Sequence, residues 1–503
     1  EFIIQNVRLI DGTGSLTKER TSVVVKNGRI VSVGSDDSQS ISKVIDGRGY
    51  TLIPGLVMLH EHMFYPSGQR RFNTNQVSFP PLYLAGGATT IRTGGSVDTY
   101  TDLAISREIS AGNIPGPDMD VTAPYLEGPG AFIYAMPIIS TPREARNHVK
   151  FWADLGATSF KAYNLIDRRS LKAAIKAAHQ RGLKVTGHLC SITYREAADM
   201  GIDNLEHGFF ASTDWVKDKK QDECPRGEDT RILDIDLNSS EFTDLVSHLI
   251  SQDVAITSTL AVLERWAPGR KPPPKGAHES ILPQLRDQYI KNLKRRVEVG
   301  GEKAVKLFNR YMAMEKAFHD AGGLLVVGTD PTGAGDVVPG YANQRTLQLL
   351  LEMGLSIEDA VKVSTYNGAK YLERDTEIGT IETGKRADMV LIKGNPSMDP
   401  EAFRQMTIIF KNGVGYDSSK YWLTRDVFLI GVGTFLTLLF AAIWYFKREE
   451  LTLARPDVDV NSSPQKHLKQ CCDAAVNSSL QKTLNNALML MSTLLLKYLN
   501  SAL

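Results

Sequence analysis

Six polar side chains fall at the ends of predicted β-strands, and five of them are of the types that bind divalent metals. The six are His60, His62, Lys161, His188, His207 and Asp330. His60 and His62 stand two residues apart on one strand, so both imidazoles face the same way and can reach a single ion. Taken alone, His188 and His207 would more often be core histidines, and Asp330 would more often be a turn aspartate. Because the set shares one end of five strands, it predicts a metal site.

Lys161 is the unusual member of this set because it interrupts an otherwise apolar strand, TSFKAY at 158–163. A charged amine facing a barrel interior is costly unless it is neutralised or paired. A lysine amine that captures carbon dioxide becomes a carbamate, which is an anion able to bridge two cations. We therefore expect two divalent ions, most simply Zn²⁺, that activate a bridging hydroxide, with Asp330 as both ligand and proton shuttle.

Repeating strand–helix units position these residues. The predicted strands lie at 56–62, 88–93, 119–124, 158–163, 184–189, 202–207, 254–259 and 324–330. Helical stretches separate most of them, such as residues 170–182, where Ser170 can cap the helix start and Gly182 ends it. Eight such units predict an α/β fold of the (β/α)₈ barrel type, whose active sites lie at the carboxyl ends of the strands. A doubly wound parallel sheet is the alternative.

Short strands at both ends of the catalytic region predict a second, smaller domain. Asn27-Gly28 and Asn412-Gly413 are hairpin turn signals between alternating apolar and polar residues. We expect a β-sandwich built from both ends of the catalytic region. The predicted boundaries are 1–53 with 375–416 for the β-domain and 54–374 for the barrel.

Several motifs follow one another in an order that resembles a known family. They are Ile53-Pro54-Gly55-Leu56 before His60-x-His62, Ser159-Phe160-Lys161, Gly187-His188, Leu205-Glu206-His207-Gly208, Gly328-Thr329-Asp330 and Gly379-Thr380-Ile381-Glu382-x-Gly384-Lys385-x-Ala387-Asp388. Over roughly residues 1–416 the chain resembles the amidohydrolase superfamily, in its imidazolonepropionase-like and Xaa-Pro-dipeptidase-like branch.

The resemblance implies a hydrolase with a binuclear metal centre. It implies that the more buried ion is bound by His60, His62 and Asp330, the more exposed ion by His188 and His207, and both by carboxylated Lys161. Met58 departs from the pattern, since many members carry an aspartate two residues before the first histidine. We therefore expect the side chains that orient the metal ligands to differ here from those of the similar proteins.

The expected activity is hydrolysis of an amide, and so of a carbon–nitrogen bond, in a small acylated or dipeptide-like substrate. A lactonase or phosphotriesterase that uses the same site is one alternative, and a catalytically inactive, membrane-anchored domain is another. The intact ligand set argues against the inactive domain. Candidate substrate contacts at strand ends are Arg92, Tyr125 and Tyr163. Arg92 is the best placed for a substrate carboxylate, because a guanidinium binds one bidentately.

The composition excludes several classes of protein. The 503-residue chain has 58 Lys and Arg against 57 Asp and Glu, which gives no sign of a nucleic-acid-binding surface. Hydrophobic residues make up 42% and charged residues 23%, as in ordinary globular proteins. Four cysteines are too few for a disulfide scaffold, and they leave the cellular compartment open. A homo-oligomer is compatible with these features.

One apolar segment predicts a membrane anchor. Residues 427–446 (VFLIGVGTFLTLLFAAIWYF) carry no charge, and Lys447 and Arg448 follow them directly. Such a segment is long enough to span a bilayer once, although a buried core helix is the alternative. The charge bias favours an extracytoplasmic catalytic domain. The tail, residues 447–503, includes a predicted amphipathic helix at 484–499.

Two loops between the predicted units are candidate lids over the substrate site. Residues 211–240 are highly charged and include Cys224, and residues 266–280 are rich in proline and basic residues. Lids of this kind close over substrates in many enzymes, although solvated insertions have a similar composition.

Overall fold

The computed structural model of the chain describes residues 1–34, 41, 43–66, 72–131, 136–225, 231–280, 283–331 and 337–422. Its strands are β1 Phe2–Leu9, β2 Lys18–Lys26, β3 Arg29–Val33, β4 Val44–Asp46, β5 Tyr50–Pro54, β6 Leu56–Glu61, β7 Phe64–Pro66, β8 Phe72–Thr74, β9 Ala88–Thr93, β10 Asp118–Asp120, β11 Ser159–Ala162, β12 Lys184–Gly187, β13 Asn204–Glu206, β14 Ala255–Ser258, β15 Leu325–Val327, β16 Met389–Lys393, β17 Met406–Lys411 and β18 Val414–Asp417. Its α-helices are α1 Phe79–Ala85, α2 Thr99–Ser110, α3 Pro142–Leu155, α4 Arg168–His179, α5 Tyr194–Asp199, α6 Ser240–Ser251, α7 Leu260–Leu263, α8 Lys275–Glu279, α9 Pro283–Asp320, α10 Tyr341–Glu352, α11 Ile357–Ser364 and α12 Tyr366–Tyr371.

The parallel strands in the middle of the chain carry the predicted metal ligands. Strands β6, β9 and β10 pair with one another, and strands β11 to β15 pair in chain order. A parallel bridge between Thr122 and Ser159 connects the two groups. The backbone N–H groups of Thr329 and Asp330 donate to the carbonyl of His60, which brings the end of the last strand back to the first.

The order of these eight strands decides between the two predicted topologies. They follow one another in chain order without reversal, which is the topology of a (β/α)₈ barrel. A doubly wound sheet would contain a point where the strand order reverses. The predicted α/β class is confirmed.

Helix boundaries follow local capping. Thr141 accepts a hydrogen bond from the N–H of Glu144 at the start of α3, and Gly156 ends that helix with a left-handed φ of 105°. Helix α4 begins three residues before the predicted start. Its cap is Asp167, whose carboxylate accepts the N–H groups of Arg169 and Ser170, so the predicted cap at Ser170 is wrong.

Strands from both ends of the catalytic region form one sheet, in the order β18-β17-β16-β5-β1-β2-β3, with β4 also along β1. The N-terminal and C-terminal parts of this sheet meet where β5 pairs antiparallel with β16, with Leu52 opposite Leu391. One edge of β1 pairs with β4 and β5 while its other edge pairs with β2. Phe2 on β1 stacks on Phe410 of β17 with ring centroids 5.0 Å apart, although two strands separate β1 from β17 in the sheet. The sheet thus folds over on itself, which is compatible with the predicted sandwich.

The predicted membrane segment at 427–446 and the tail at 447–503 lie outside the described residues. Among the helices that the structure does describe, none is long and apolar enough to cross a bilayer. The membrane anchor and the amphipathic helix at 484–499 stay predictions.

Candidate metal centre

The end of β6 and the turn after β15 bring together three candidate ligands. Ligand atoms of His60, His62 and Asp330 all lie within 4.8 Å of one another, and all three residues are buried. The Oδ1 atom of Asp330 lies 3.1 Å from Nε2 of His62 and 3.8 Å from Nε2 of His60. This spacing is compatible with one shared cation.

Nδ1 of both His60 and His62 lies within hydrogen-bonding distance of an acceptor. Nδ1 of His60 is 2.7 Å from a carboxylate oxygen of Glu206, and Nδ1 of His62 is 3.3 Å from the carbonyl of Gly95. With these acceptors, Nδ1 carries the proton in each ring and Nε2 is left as the ligand atom. Metal-binding histidines are commonly oriented in this way.

Lys161 enters the same cluster from β11. Its Nζ lies 3.0 Å from Nε2 of His60, and its side chain is 1% exposed. Burial lowers the pKa of Lys161 to about 8, although Glu206 and Asp330 act to raise it.

His188 and His207 complete the cluster on the other side. Their ring centroids are 4.5 Å apart, and the His207 ring lies 4.5 Å from that of His60. Nδ1 of His207 is 2.7 Å from the hydroxyl of Thr259, which leaves its Nε2 available. All six predicted ligands are thus brought to one end of the parallel strands.

Burial keeps the four imidazoles neutral, which is the form that binds a metal. It lowers the pKa of His60 to about 4 and that of His188 to about 3, with repulsion from Lys161 as a further cause. The pKa values of His62 and His207 are also lowered, again mainly by burial.

Two of the candidate ligands have strained backbones. His207 and Asp330 adopt left-handed conformations, with φ of 67° and 49°, and such residues concentrate at functional sites. The turn before Asp330 is fixed by Glu61, which accepts the N–H of Thr329 at 3.1 Å and an amide hydrogen of Asn343 at 3.2 Å. The carboxylate of Glu61 also accepts the hydroxyl of Thr329.

Arg92 does not have the surroundings of a substrate contact. It is 1% exposed, and its guanidinium donates to Glu206 at 2.7 Å and to Thr186 at 3.3 Å. Because its charge is already paired below the cluster, the predicted role as a carboxylate receptor is corrected to a positioning role. Burial raises the pKa of Glu206, but Arg92 and His60 outweigh that effect and hold it well below its usual range.

Tyr125 and Tyr163 lie beside the cluster. The Nζ atom of Lys161 is 5.6 Å from the centroid of the Tyr125 ring and 5.9 Å from that of Tyr163. The Tyr163 ring is also 4.8 Å from His188. Both residues are therefore near enough to contact a substrate, which stays a prediction.

Glu206 is a supporting residue that was not among those predicted from the sequence. The signal was available, since Glu206 is a charged residue in an apolar strand, as Lys161 is. Met58, which replaces the usual aspartate of similar proteins, is fully buried in the hydrophobic core. The carboxylate that orients His60 comes instead from β13, which follows far later in the chain.

Part of the predicted lid is attached to the loop that follows His188. A disulfide joins Cys190 to Cys224, with their Cα atoms 4.8 Å apart. The ammonium of Lys219 donates to the carbonyl of Ser191 at 2.7 Å, and Asp214 accepts the N–H of Tyr194 at 2.8 Å. A lid function for residues 211–240 and 266–280 stays a prediction.

Comparison with known proteins gives matches of two kinds. Residues 304–418 match the amidohydrolase family. The dihydroorotase of Elusimicrobium minutum is 29% identical over 113 residues, which is 22% of this chain and 26% of that protein. The imidazolonepropionase of Caldanaerobacter subterraneus is 32% identical over 123 residues, or 24% of this chain and 28% of that protein. The chain thus matches about a quarter of the length of these curated relatives.

Solved structures align over most of the chain. A Xaa-Pro dipeptidase with methionine bound in its active site aligns with a TM-score of 0.61 at 19% identity, over 83% of this chain and 99% of that one. Bottromycin amidohydrolase aligns with a TM-score of 0.63 at 18% identity, over 83% and 87%. At such identities the likeness establishes the fold. The chain has an amidohydrolase-like α/β fold.

Proposed function

We propose that this protein is a metal-dependent hydrolase that cleaves the amide bond of a small acylated or dipeptide-like substrate. The observation that carries the proposal is the convergence of four neutral imidazoles, one carboxylate and one buried lysine at the carboxyl ends of the parallel strands. In barrels of this type that end carries the chemistry.

The donor set fits two divalent ions, most simply Zn²⁺. In this proposal His60, His62 and Asp330 would hold the more buried ion and His188 and His207 the more exposed one. Lys161, once carboxylated by carbon dioxide, would be a ligand of both. Imidazole nitrogens and carboxylate oxygens are the usual ligands of zinc. Two bound ions would supply an activated water at neutral pH and would polarise the scissile carbonyl.

Asp330 is the residue of this chain that moves the proton. Its carboxylate lies among the imidazoles of His60, His62 and His207, where it can accept a proton from the attacking water. It then gives that proton to the departing amine, which would otherwise leave as an unstable anion. Glu206 and Arg92 keep His60 in one orientation during this exchange.

Metal analysis combined with a substrate panel tests the proposal. Carefully prepared protein should contain about two equivalents of divalent metal and should hydrolyse amides in preference to lactones and phosphotriesters. Lys161→Ala should lose both metal and activity, with partial rescue by a short carboxylic acid.

Asp330→Asn is the matched variant, because the amide keeps the size of the carboxylate and a weak oxygen ligand but cannot carry the proton. Its turnover should fall by roughly 10²–10⁴-fold. One equivalent of metal at full activity would contradict the binuclear site, and a preference for lactones or phosphotriesters would contradict the amide substrate.

A further inference from the structure

Phe210 presents an exposed aromatic ring at the edge of the candidate metal centre. It follows β13 by four residues, and its N–H donates to the carbonyl of His207 at 3.0 Å. Its ring centroid lies 6.4 Å from that of His188 and 6.4 Å from that of His207. The side chain is 44% exposed. A large apolar surface is thus available beside the pair of histidines proposed to hold the more exposed ion.

The Phe210 ring is not part of the hydrophobic core of the described residues. The neighbouring residue Phe209 is fully buried and packs against Trp215 and Phe242, with ring centroids 6.1 and 5.5 Å away. Phe210 points to the opposite side and meets the ring of Tyr311 edge-on at 5.7 Å. Tyr311 comes from α9 and is 8% exposed, so Phe210 is backed by a fixed aromatic ring.

Among the described residues, buried side chains line the opposite side of the metal centre. The Phe64 ring lies 4.4 Å from His62 and forms a buried cluster with Tyr125 and Met136. These three side chains are 3 to 6% exposed. A substrate group that projects from the centre therefore finds more open apolar surface on the side of Phe210.

We propose that Phe210, supported by Tyr311, forms the binding platform for a bulky apolar group of the substrate. This inference rests on the proposed amide hydrolysis and narrows its substrate class to acylated amino acids or dipeptide-like amides that carry an aromatic or large aliphatic side chain. An aromatic ring on the substrate would meet Phe210 in the offset or edge-to-face geometry that aromatic pairs prefer.

The test compares N-acetylated amino acids and dipeptides that differ only in one side chain, on metal-loaded full-length protein. The native protein should prefer phenylalanine and leucine over alanine by about tenfold or more in kcat/KM, since each buried apolar group adds discrimination. Phe210→Ala should remove most of that preference, chiefly through KM, and leave the alanine substrate within about threefold. Phe210→Leu should keep an intermediate preference.

Phe151→Ala is the matched control, because Phe151 is 50% exposed on α3, away from the ligand-bearing strand ends. It should leave all substrates unchanged. Unaltered metal content and melting temperature in Phe210→Ala would exclude a folding defect. Equal preference in Phe210→Ala and native protein would overturn the platform.

Calorimetric binding of N-acetylphenylalanine separates this inference from the proposed function. If no panel member is hydrolysed but this ligand still binds at least tenfold more weakly to Phe210→Ala, the platform stands and the amide hydrolase is wrong. If hydrolysis occurs without any apolar preference, the hydrolase stands and the platform is wrong. Absence of both hydrolysis and binding would overturn both.

Discussion

Glu315 is a buried carboxyl that the proposed chemistry does not use. It lies on α9 and is fully buried, and among the described residues neither of its oxygens meets a donor in hydrogen-bonding geometry. Burial raises its pKa to about 8. One carboxylate oxygen lies 2.0 Å from where a Cβ of residue 208 would be. Gly208, with a φ of 60°, is the residue type that this close approach requires.

This carboxyl predicts a pH-dependent stability. In the unfolded chain Glu315 would titrate near 4.5, so between about pH 4.5 and 8 the folded state binds the extra proton. Stability therefore falls as the pH rises through that window. Glu315→Gln should remove the fall and should stabilise the protein by about 1–3 kcal/mol at pH 8, with little effect at pH 5.

Melting temperatures of metal-loaded protein across this pH range measure the effect. Glu302→Gln, an exposed change on the same helix, serves as the control and should leave the pH profile unchanged. A Glu315→Gln profile parallel to that of the native protein would show that the buried carboxyl does not carry the pH dependence.

At the scale of elements, one continuous segment holds both histidines of the proposed exposed ion. The Cys190–Cys224 disulfide closes a loop with a sequence separation of 34 residues, and this loop contains α5, β13 and His207. His188 lies two residues before it. Asp214, within the loop, accepts the N–H groups of Tyr194 and Arg195 at the start of α5. The disulfide therefore restrains the segment that positions His188 and His207 relative to each other.

Loss of this disulfide should weaken both stability and metal binding. Closing a loop of this length stabilises a fold by about 2–4 kcal/mol. The double change Cys190→Ser and Cys224→Ser should lower the melting temperature, lower the affinity for the second equivalent of metal more than for the first, and abolish the response to reductant.

The other two cysteines provide the control. Cys471→Ser with Cys472→Ser should leave the melting temperature sensitive to reductant. Four free thiols in the native protein, or retention of both metals by the Cys190 and Cys224 variant, would contradict this account of the segment.

At the scale of the whole molecule, an ionic cluster joins the parallel strands to the terminal sheet. Asp118 on β10 lies 2.7 Å from Arg386, 2.8 Å from Lys411 and 3.2 Å from Arg374. Burial raises the pKa of Asp118, but the three cations outweigh it and lower that pKa to about 2. These ion pairs connect the C-terminal part of the described chain to strand β10, and the last strand of the terminal sheet ends at Asp417.

This closure predicts that the proposed catalytic region is separable from the predicted membrane segment at 427–446. All six candidate ligands precede residue 331, and the terminal sheet is complete at Asp417. Ser418 and Trp422 still contact this region, through a hydrogen bond to the carbonyl of Met406 and a ring contact with Tyr341. A chain that ends at Trp422 should therefore remain in solution without detergent and keep its activity. The full chain should stay with membranes after a high-salt wash, because about 20 apolar residues insert stably.

Fractionation of cell extracts and detergent-free size-exclusion chromatography measure this difference. A full chain that is monodisperse without detergent would identify residues 427–446 as a core or interface helix. Failure of the shortened chain to fold would show that this segment packs on the catalytic region.

The sequence by itself determined the alternation of strands and helices and the six candidate ligands. These are local properties, because periodicity and the polar residue that ends a strand can be read within about ten residues. In a parallel sheet, strand ends meet at one edge, so neighbouring His60 and His62 and the distant Asp330 could be placed together before any contact was known.

Only the tertiary structure decided which groups support those ligands. His60 meets Glu206 across 146 residues of chain, and Arg92 turns to that same carboxylate instead of a substrate. The pairing of Cys190 with Cys224 is of the same kind. Such pairings depend on how strands are ordered and how side chains rotate within the closed ring, and neither is encoded in the spacing of residues along one strand.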